Sequence, residues 1–557
     1  LHVQTVEGKS SGLAERAGTT LAPGLGAGIA RGAAIVAGLT IVSRLLGLLR
    51  TLVFSQTVGA SCLGSAYVTA NQVPNLLYEL VLGGALTSAM VPVLARSAER
   101  AGSDPAEKAR VGEITSALLT WSVIILVPVV VVIAAAARPI ASLLNPTNPN
   151  SHCARSDVVA VTGNMLVAFA PQALLYGISV VLYGLLQSYR RFAAPSIGPG
   201  FSSLVLITCY LVFVPLDKGR SLAELPISAE LVLSVGTTLG VAALVLVALP
   251  PTWRLHLRFR PGLRFPPGVS RRAGGLALVG FAELVAIEVA SVVAIVLANG
   301  HGETGAVVLF NYSSQVFSSI SAVLALSIVV SAFPVLSTRQ GSAFDQTSAG
   351  STRAVLLMSW LGTAVIVAIA IPAAHVLAKQ PDQVPQLELA FALFAPGIAG
   401  TAVITILSRV MFVIGRLKVA AVALTGSWLL VIVADVVLGE LVPSRLVVGA
   451  LALGNTIGPT VVAIPMVILT RRICGKAAVQ GVGHAALAGL LAGAAGAAVG
   501  AAISVSVPMH HKLEAFALAV PAAAGAIVAF GTVAYVLDDG DLKAVLAWAR
   551  RVRKPNL

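Results

Sequence analysis

Two arginines six residues apart, Arg44 and Arg50, stand inside the apolar run TIVSRLLGLLRTLVFSQ at residues 40–56. Each arginine at the centre of a spanning helix costs roughly 2.5–3.5 kcal/mol on insertion scales. A pair therefore asks for water or an anionic partner. A guanidinium in a low-dielectric site binds carboxylate or phosphate oxygens through charge-assisted, often bidentate, hydrogen bonds. At 3.6 residues per turn the two side chains point about 120° apart. Gly47 between them lets another helix or a ligand come close. One wall of a hydrated cavity could hold both; snorkelling or a structural ion pair is the alternative.

The next apolar run carries NQVPNLLYELVLGG, with Asn71, Asn75 and Glu79 at i, i+4 and i+8 along one helix face. Pro74 frees a backbone carbonyl there and bends the helix. Counted from the turn near residue 61, Glu79 and Arg44 fall at matching depths, so Glu79 is a candidate to neutralise Arg44. The run FNYSSQVFSSISAV gives Asn311, Ser314, Gln315 and Ser318 as an uncharged polar face, suited to ligand contact or to close helix packing. Glu283 and Glu288 are candidates for ion coupling or for pairing with polar neighbours. Asp435 and Arg409 lie toward span ends, where snorkelling or capping is expected. In DDGDLKAVLAWARRVRK at 538–554, Asp541 reads as the N-cap of a basic amphipathic helix on the inner leaflet rather than as a metal ligand.

No phosphate-binding glycine loop, HExxH or nucleophile–histidine constellation is present, and His510 and His511 stand without other ligands. The expectation is a protein that is not an enzyme and needs no cofactor or metal.

These residues must be positioned by membrane helices. Of the 557 residues, 57% are hydrophobic and 11% charged, and mean hydropathy is +0.92. A soluble chain carries about 25% charged residues. Fourteen runs are long enough to cross about 30 Å of hydrocarbon: 34–58, 64–95, 114–137, 158–188, 196–216, 230–249, 273–299, 305–337, 353–378, 386–414, 418–439, 445–470, 480–506 and 514–536. The first run is too long for a signal-peptide core and reads as a retained span. With the N-terminus inside, 27 of the 37 Lys and Arg fall on inner segments, seven on outer loops and three within spans. That bias places both termini in the cytoplasm of a multi-pass protein, and it accounts for the net charge of +14 without nucleic acid.

The basic segment WRLHLRFRPGLRFPPGVSRR at 253–272 looks like a linker between halves. SAMVPVLAR (88–96) is echoed by SAFPVLSTR (331–339), and FAP at 169–171 recurs at 394–396, each followed twenty residues later by Arg191 or Arg416. The expected organisation is a cytoplasmic tail (1–32), an N-lobe (33–250), the linker (251–272), a C-lobe (273–472) and a final pair of spans with a basic tail (473–557). Parallel repeats of this kind typify transporters with a central path. Cys62 and Cys153 both fall on outer loops, where a disulfide is allowed, but sequence alone does not decide pairing.

At SRLLGLLR, GASCLGSAYVTANQVPNLLYELVLGGALTSAMVPVLAR, GLLQSYRRFAAPSIGPG, YSSQVFSSISAVLALSIVVSAFPVLS and GALALGNTIG the chain resembles the MurJ/MviN family. These are lipid II flippases of bacterial peptidoglycan synthesis, within the multidrug/oligosaccharidyl-lipid/polysaccharide exporter superfamily. The resemblance implies an all-α fold of two six-helix lobes around a cationic cavity, followed by two helices that shape a groove for the lipid tail. It implies the bacterial plasma membrane, lipid II and membrane lipids as partners, and cell-wall synthesis or division proteins as candidate protein partners. It also implies cavity roles for Ser43, Arg44 and Arg50, and it matches Pro74 and Asn75 to the family's Pro-Asn.

Five positions depart from the family pattern: Thr51, Ser65, Tyr78, Gly83 and Gln315 stand where members usually carry charge. These departures support one rival, another lipid-linked glycan; a cation-coupled drug antiporter, which would favour acidic cavity residues, and a non-transporting scaffold stay open beside it, since spans alone do not prove transport.

Overall fold

The computed structural model describes residues 23–80, 94, 98–101, 104–217, 219–263 and 274–537. Side chains are described from residue 38 in the first helix and from residue 281 in the helix that begins at Gly274. The helix expected after Asp541, Gly83 and all of SAMVPVLAR but Leu94 lie outside the described residues.

Helix α1 (Pro23–Thr57) starts earlier than the expected span and turns at Gly59, in the left-handed region, into α2 (Cys62–Leu80). The chain continues through α3 (Pro105–Ala135), short α4 (Ala137–Leu144), α5 (Arg155–Phe169) and α6 (Gln172–Ser188). Helices α7 (Ala193–Asp217) and α8 (Ile227–Trp253) complete the first half. Helix α3 has a complete start signal: Asp104 Oδ1 accepts from the Ala106 N–H at 2.8 Å, and Pro105 occupies the first turn.

The second half runs through α9 (Gly274–His301), α10 (Ala306–Ser321), a five-residue π segment (Ala322–Leu326) and α11 (Ser327–Thr338). Then come α12 (Gly341–Leu377), α13 (Gln383–Phe394), α14 (Gly397–Val413), α15 (Leu417–Leu441) and α16 (Val447–Cys474). The last pair is α17 (Val482–Ser506) and α18 (Lys512–Leu537). Thirteen segments are long and apolar enough to cross a membrane. They follow the expected spans in order except for the second, which α2 begins and which leaves the described residues after Leu80, so the count of fourteen is not reached among them.

The repeated FAP segments break their spans in the same way. Proline has no N–H to give the preceding turn, and α5 ends at Phe169 as α13 ends at Phe394. A carbonyl freed in a membrane needs a donor from elsewhere in the protein. Thr238 of α8 donates to Ala168 O at 2.7 Å, and Thr456 of α16 donates to Leu393 O at 2.6 Å. Both spans also end alike: Arg190 and Gly415 take positive φ, and the N–H of Arg191 and of Arg416 each reaches back 2.8 Å to the carbonyl five residues earlier. The described part of the basic linker lies along α3, where Arg260 N–H donates to Ser116 Oγ and Trp121 Nε1 to Leu263 O.

We call the end of the bundle that carries the α1–α2 turn the outer end, following the orientation expected from loop charge. There the halves are stitched together. Asn299 Nδ2 donates to Thr69 Oγ1 and Leu144 O, both at 2.9 Å. Asn148 Nδ2 donates to Asn299 O and Gly302 O. Gln383 Nε2 reaches Ala60 O, and Lys379 Nζ reaches Thr57 O. These side-chain hydrogen bonds between the halves, with Gln56 to Val376 O and Thr51 to Gln315, lie at Thr51 or farther out. The outer end is closed.

Cys62 and Cys153 form a disulfide, with Cα atoms 5.7 Å apart, which ties the start of α2 to the loop before α5. That loop holds Asn148, so the crosslink braces one side of the closure. Losing a native disulfide typically costs about 2–5 kcal/mol. The Cys62→Ser/Cys153→Ser variant is expected to melt at a lower temperature in detergent than the parent. Equal melting temperatures would show that the crosslink adds nothing to stability.

Candidate functional site

A polar cavity of about 190 Å³ lies just below the closed outer end. Helix α1 contributes Arg50 and Thr51, and α2 contributes Tyr67, Asn71, Gln72 and Asn75. Tyr176 (α6), Tyr210 (α7) and Thr237 (α8) close one side, while Asn311, Tyr312 and Gln315 of α10 close the other. Among the described residues Arg50 is its sole charged group and forms no ion pair.

The wall is held by its own hydrogen bonds. Tyr67 Oη sits 2.9 Å from Tyr210 Oη and 2.8 Å from Thr237 Oγ1. Tyr176 Oη donates to Asn75 Oδ1 at 3.1 Å, and its ring packs 4.4 Å from that of Tyr78. Thr51 Oγ1 donates to Gln315 Oε1 at 2.6 Å and joins the two halves across the cavity. Phe54 closes the outer side, its ring centroid 5.2 Å from those of both Tyr67 and Tyr210.

Arg44 does not share this wall. The six-residue spacing turns it onto a second cavity of about 550 Å³, lined by Leu45, Leu48, Ile320, Val323, Leu361 and Ile527. This groove is apolar and lies between α1, α10 with its π segment, α12 and α18. Gln315 lines both cavities and links them. A π segment widens a helix by one residue per turn and recurs at functional sites; no residue pattern in the sequence pointed to it.

The expected pairing of Arg44 with Glu79 is absent among the described residues: both side chains are exposed, and no ion pair joins them. Equal depth did not bring the two onto facing sides of their helices. The group whose field Glu79 shares is a second carboxylate, Glu288, which is buried at 7% exposure and which Glu79 repels. Glu283 lies in the field of Arg409, whose guanidinium packs over Phe333 and Phe412 at 5.5 and 5.6 Å. Ser43 is buried where α1 crosses α7, with Gly200 too close to carry a Cβ (2.8 Å to Ser43 Oγ), and it does not line the cavity.

Asp435 corrects the expectation of an edge position. It is fully buried, and both carboxylate oxygens lack a partner among the described residues. Gly454 of α16 packs directly on it with no room for a side chain. The α15 helix continues six residues past Asp435, too far for its short side chain to reach the interface.

The tyrosines of the cavity were missed from sequence, although Tyr67 stands four residues before Asn71 and extends the same stripe. Asn71, Asn75, Arg50 and Gln315 are brought together; Arg44 stands apart and Glu79 lies about one turn past Asn75 along α2, outside the cavity lining. Chemically the cavity can hold one concentrated anion at a guanidinium and hydrogen-bond neutral groups around it. Among the described residues no group of three His, Cys, Asp or Glu side chains could hold a metal.

The family model for "Lipid II flippase MurJ" matches residues 54–518. The lipid II flippase of Burkholderia cenocepacia is 29% identical over 180 residues, covering 32% of this chain and 33% of that protein. A probable lipid II flippase of Synechocystis is 29% identical over 237 residues, 41% of each chain. These matches thus span about a third to two fifths of the curated relatives. A solved lipid II flippase in an inward closed conformation superposes with TM-score 0.68 at 15% identity, covering 90% of this chain and 98% of that one. An inward-facing multidrug resistance MATE family transporter of the MOP superfamily follows at TM-score 0.60 and 14% identity, covering 80% and 99%. Those likenesses establish the fold, and with the family match over most of its length the chain belongs to the MurJ lipid II flippase family.

Proposed function

We propose that this protein carries a polyprenyl-diphosphate-linked peptidoglycan precursor, lipid II, from the inner to the outer leaflet of the bacterial plasma membrane. The observation that carries the reading is Arg50, an unpaired guanidinium in a polar cavity enclosed by membrane helices and joined through Gln315 to an apolar groove. The diphosphate would take Arg50 by charge-assisted hydrogen bonds. Sugar and peptide groups would meet the neutral wall, and the polyprenyl tail would stay in lipid along the groove, with Arg44 near the path of the entering diphosphate.

Transport requires that the outward state bind cargo less well than the inward one. We assign the two halves, 33–250 and 273–472, as the moving lobes, and the outer hydrogen bonds from Asn148, Asn299, Lys379 and Gln383 as the contacts that part. Glu283 and Glu288 are the groups we assign to ion coupling; the burial of Glu288 and its position in the repulsive field of a second carboxylate, Glu79, suit it to take up a proton or a cation. The Cys62–Cys153 disulfide supports an orientation with that end outside and both termini inside, since disulfides persist on the oxidising face of a membrane.

The test is depletion of the gene followed by measurement of lipid II in each leaflet. Depletion is expected to trap lipid II inside, with rescue by the parent chain, failure of Arg50→Ala, and partial rescue by Arg44→Ala. Lipid II reaching the outer leaflet at the normal rate after depletion, in cells lacking other flippases, would sink the proposal. Equal rescue by both alanine variants would remove the separate roles of the arginines.

A further inference from the structure

The loop between α9 and α10, residues 302–305, belongs to the second half of the chain, and two segments of the first half grip it at the outer end. On one side Gly305 lies against the α1–α2 turn, so closely that a Cβ would stand 2.5 Å from Ala60 O. On the other side stands the loop between α4 and α5, residues 145–154. There Asn148 Nδ2 donates to Asn299 O at 2.8 Å and to Gly302 O at 2.7 Å. The His152 N–H donates to Thr304 Oγ1 at 3.1 Å, and Ser151 Oγ lies 3.4 Å from the same oxygen. The Cys62–Cys153 disulfide joins the turn to this loop. It is thus a tie within the first half, between two jaws that close on one loop of the second.

We propose that this disulfide is a redox-sensitive latch: intact, it favours the closed outer end, and its reduction by a dithiol from outside shifts the protein toward the outward-open arrangement. The inference rests on the parting halves of the flippase reading and adds a control to them. Its sign follows from what holds the 145–154 loop in each arrangement. While the outer end is closed, the contacts with Asn299, Gly302 and Thr304 hold the loop with or without the crosslink. Once the halves part, those contacts are gone and the crosslink still ties the loop to the turn. Cutting it therefore releases conformational entropy mainly in the open arrangement. The equilibrium moves toward the state that gains. The intact tie also keeps the two jaws at the spacing that readmits the α9–α10 loop.

A reductant can reach the bond. Both cysteines are partly exposed, and Cys153 lines a cavity of about 240 Å³ at this end with Ser65, Ser151 and Arg155. One thiolate of the dithiol attacks a protein sulfur, the S–S bond breaks, and the other protein sulfur leaves as a thiolate and takes up a proton. The second thiol of the reagent then displaces the first protein sulfur from the mixed disulfide. The protein gains two electrons and two protons, and the dithiol ends as its own disulfide.

The test uses the full chain in cells, with Cys209 and Cys474 changed to serine and a cysteine placed at Gln72. A membrane-impermeant thiol reagent is added from outside, and labelling at position 72 is read by peptide mass spectrometry. Labelling is expected to run at least about fivefold faster in Cys62→Ser/Cys153→Ser than in the crosslinked chain. Dithiothreitol treatment of the crosslinked chain, with the reagent removed before labelling, is expected to give the same rise, and reoxidation to reverse it. That reversal separates opening from misfolding of the variant. Equal rates with and without the crosslink, or slower labelling without it, overturn the latch. Lipid II transport by the parent chain in vesicles is scored separately. Transport with unchanged labelling overturns the latch and leaves the flippase reading standing. Redox-dependent labelling in a chain that moves no lipid II supports the latch and overturns the flippase reading.

Discussion

Arg50→Ala is expected to slow the appearance of lipid II in the outer leaflet of reconstituted vesicles by at least about a hundredfold. Hydrogen bonds to a charged group are worth about 1.5–3 kcal/mol each. A guanidinium that grips a diphosphate through two of them supplies roughly 3–6 kcal/mol, and each 1.4 kcal/mol is a factor of about ten. No other cation lines the central cavity among the described residues, so nothing takes over when Arg50 is lost. Arg50→Lys keeps the charge but loses the planar fork, and about a tenfold loss is expected. Arg44→Ala is milder, because Arg44 faces the apolar groove and not the cavity. An Arg50→Ala protein that moves lipid II at the parental rate would remove the binding role assigned to this residue.

Gly305→Val is expected to open the closed outer end. Gly305 has φ +86, and a Cβ there would stand 2.5 Å from Ala60 O and 2.7 Å from Ala60 C. The conformation alone costs an L-residue roughly 1–2 kcal/mol. The contact with Ala60 is a clash with the turn between α1 and α2, in the opposite half, and it disappears when the halves part. Valine therefore penalises the closed arrangement selectively. A few kcal/mol moves a two-state equilibrium by about a hundredfold or more. The check is labelling from outside, with a membrane-impermeant thiol reagent, of a cysteine placed at Gln72 in a background in which Cys209 and Cys474 are serine. Labelling is expected to be slow in the Gly305 parent and fast in Gly305→Val. Unchanged labelling in a protein that still elutes as folded would show that Gly305 does not govern closure.

The spans were legible because twenty apolar residues in a row have few other uses, and because loop charge oriented them consistently. The FAP breaks were visible as sequence, but the threonines that catch the freed carbonyls were not. Thr238 and Thr456 lie sixty or more residues from their acceptors, and nothing local marks them. In the site, Arg50, Asn71 and Asn75 were readable from type and spacing. The separation of Arg44 was implicit in its 120° offset, yet one wall was expected to hold both, since sequence does not say how many cavities flank a helix. Matching depth suggested a Glu79–Arg44 pair, but depth fixes one coordinate, and the helix rotation that decides contact comes from packing elsewhere. Asp435 was placed at an edge because it stands near the end of an apolar run, whereas α15 continues past it and Gly454 lets α16 cover it.

The central claim is that this chain by itself moves a lipid-linked peptidoglycan precursor across a bilayer. Purified protein in vesicles loaded with lipid II in the inner leaflet tests it most directly, with arrival outside followed by an enzyme that acts on the exposed head group. Arrival is expected to exceed that in protein-free vesicles and to fall to that background with Arg50→Ala. Arrival no faster than in protein-free vesicles, under either sign of membrane potential and with sodium or proton gradients supplied, would contradict the account.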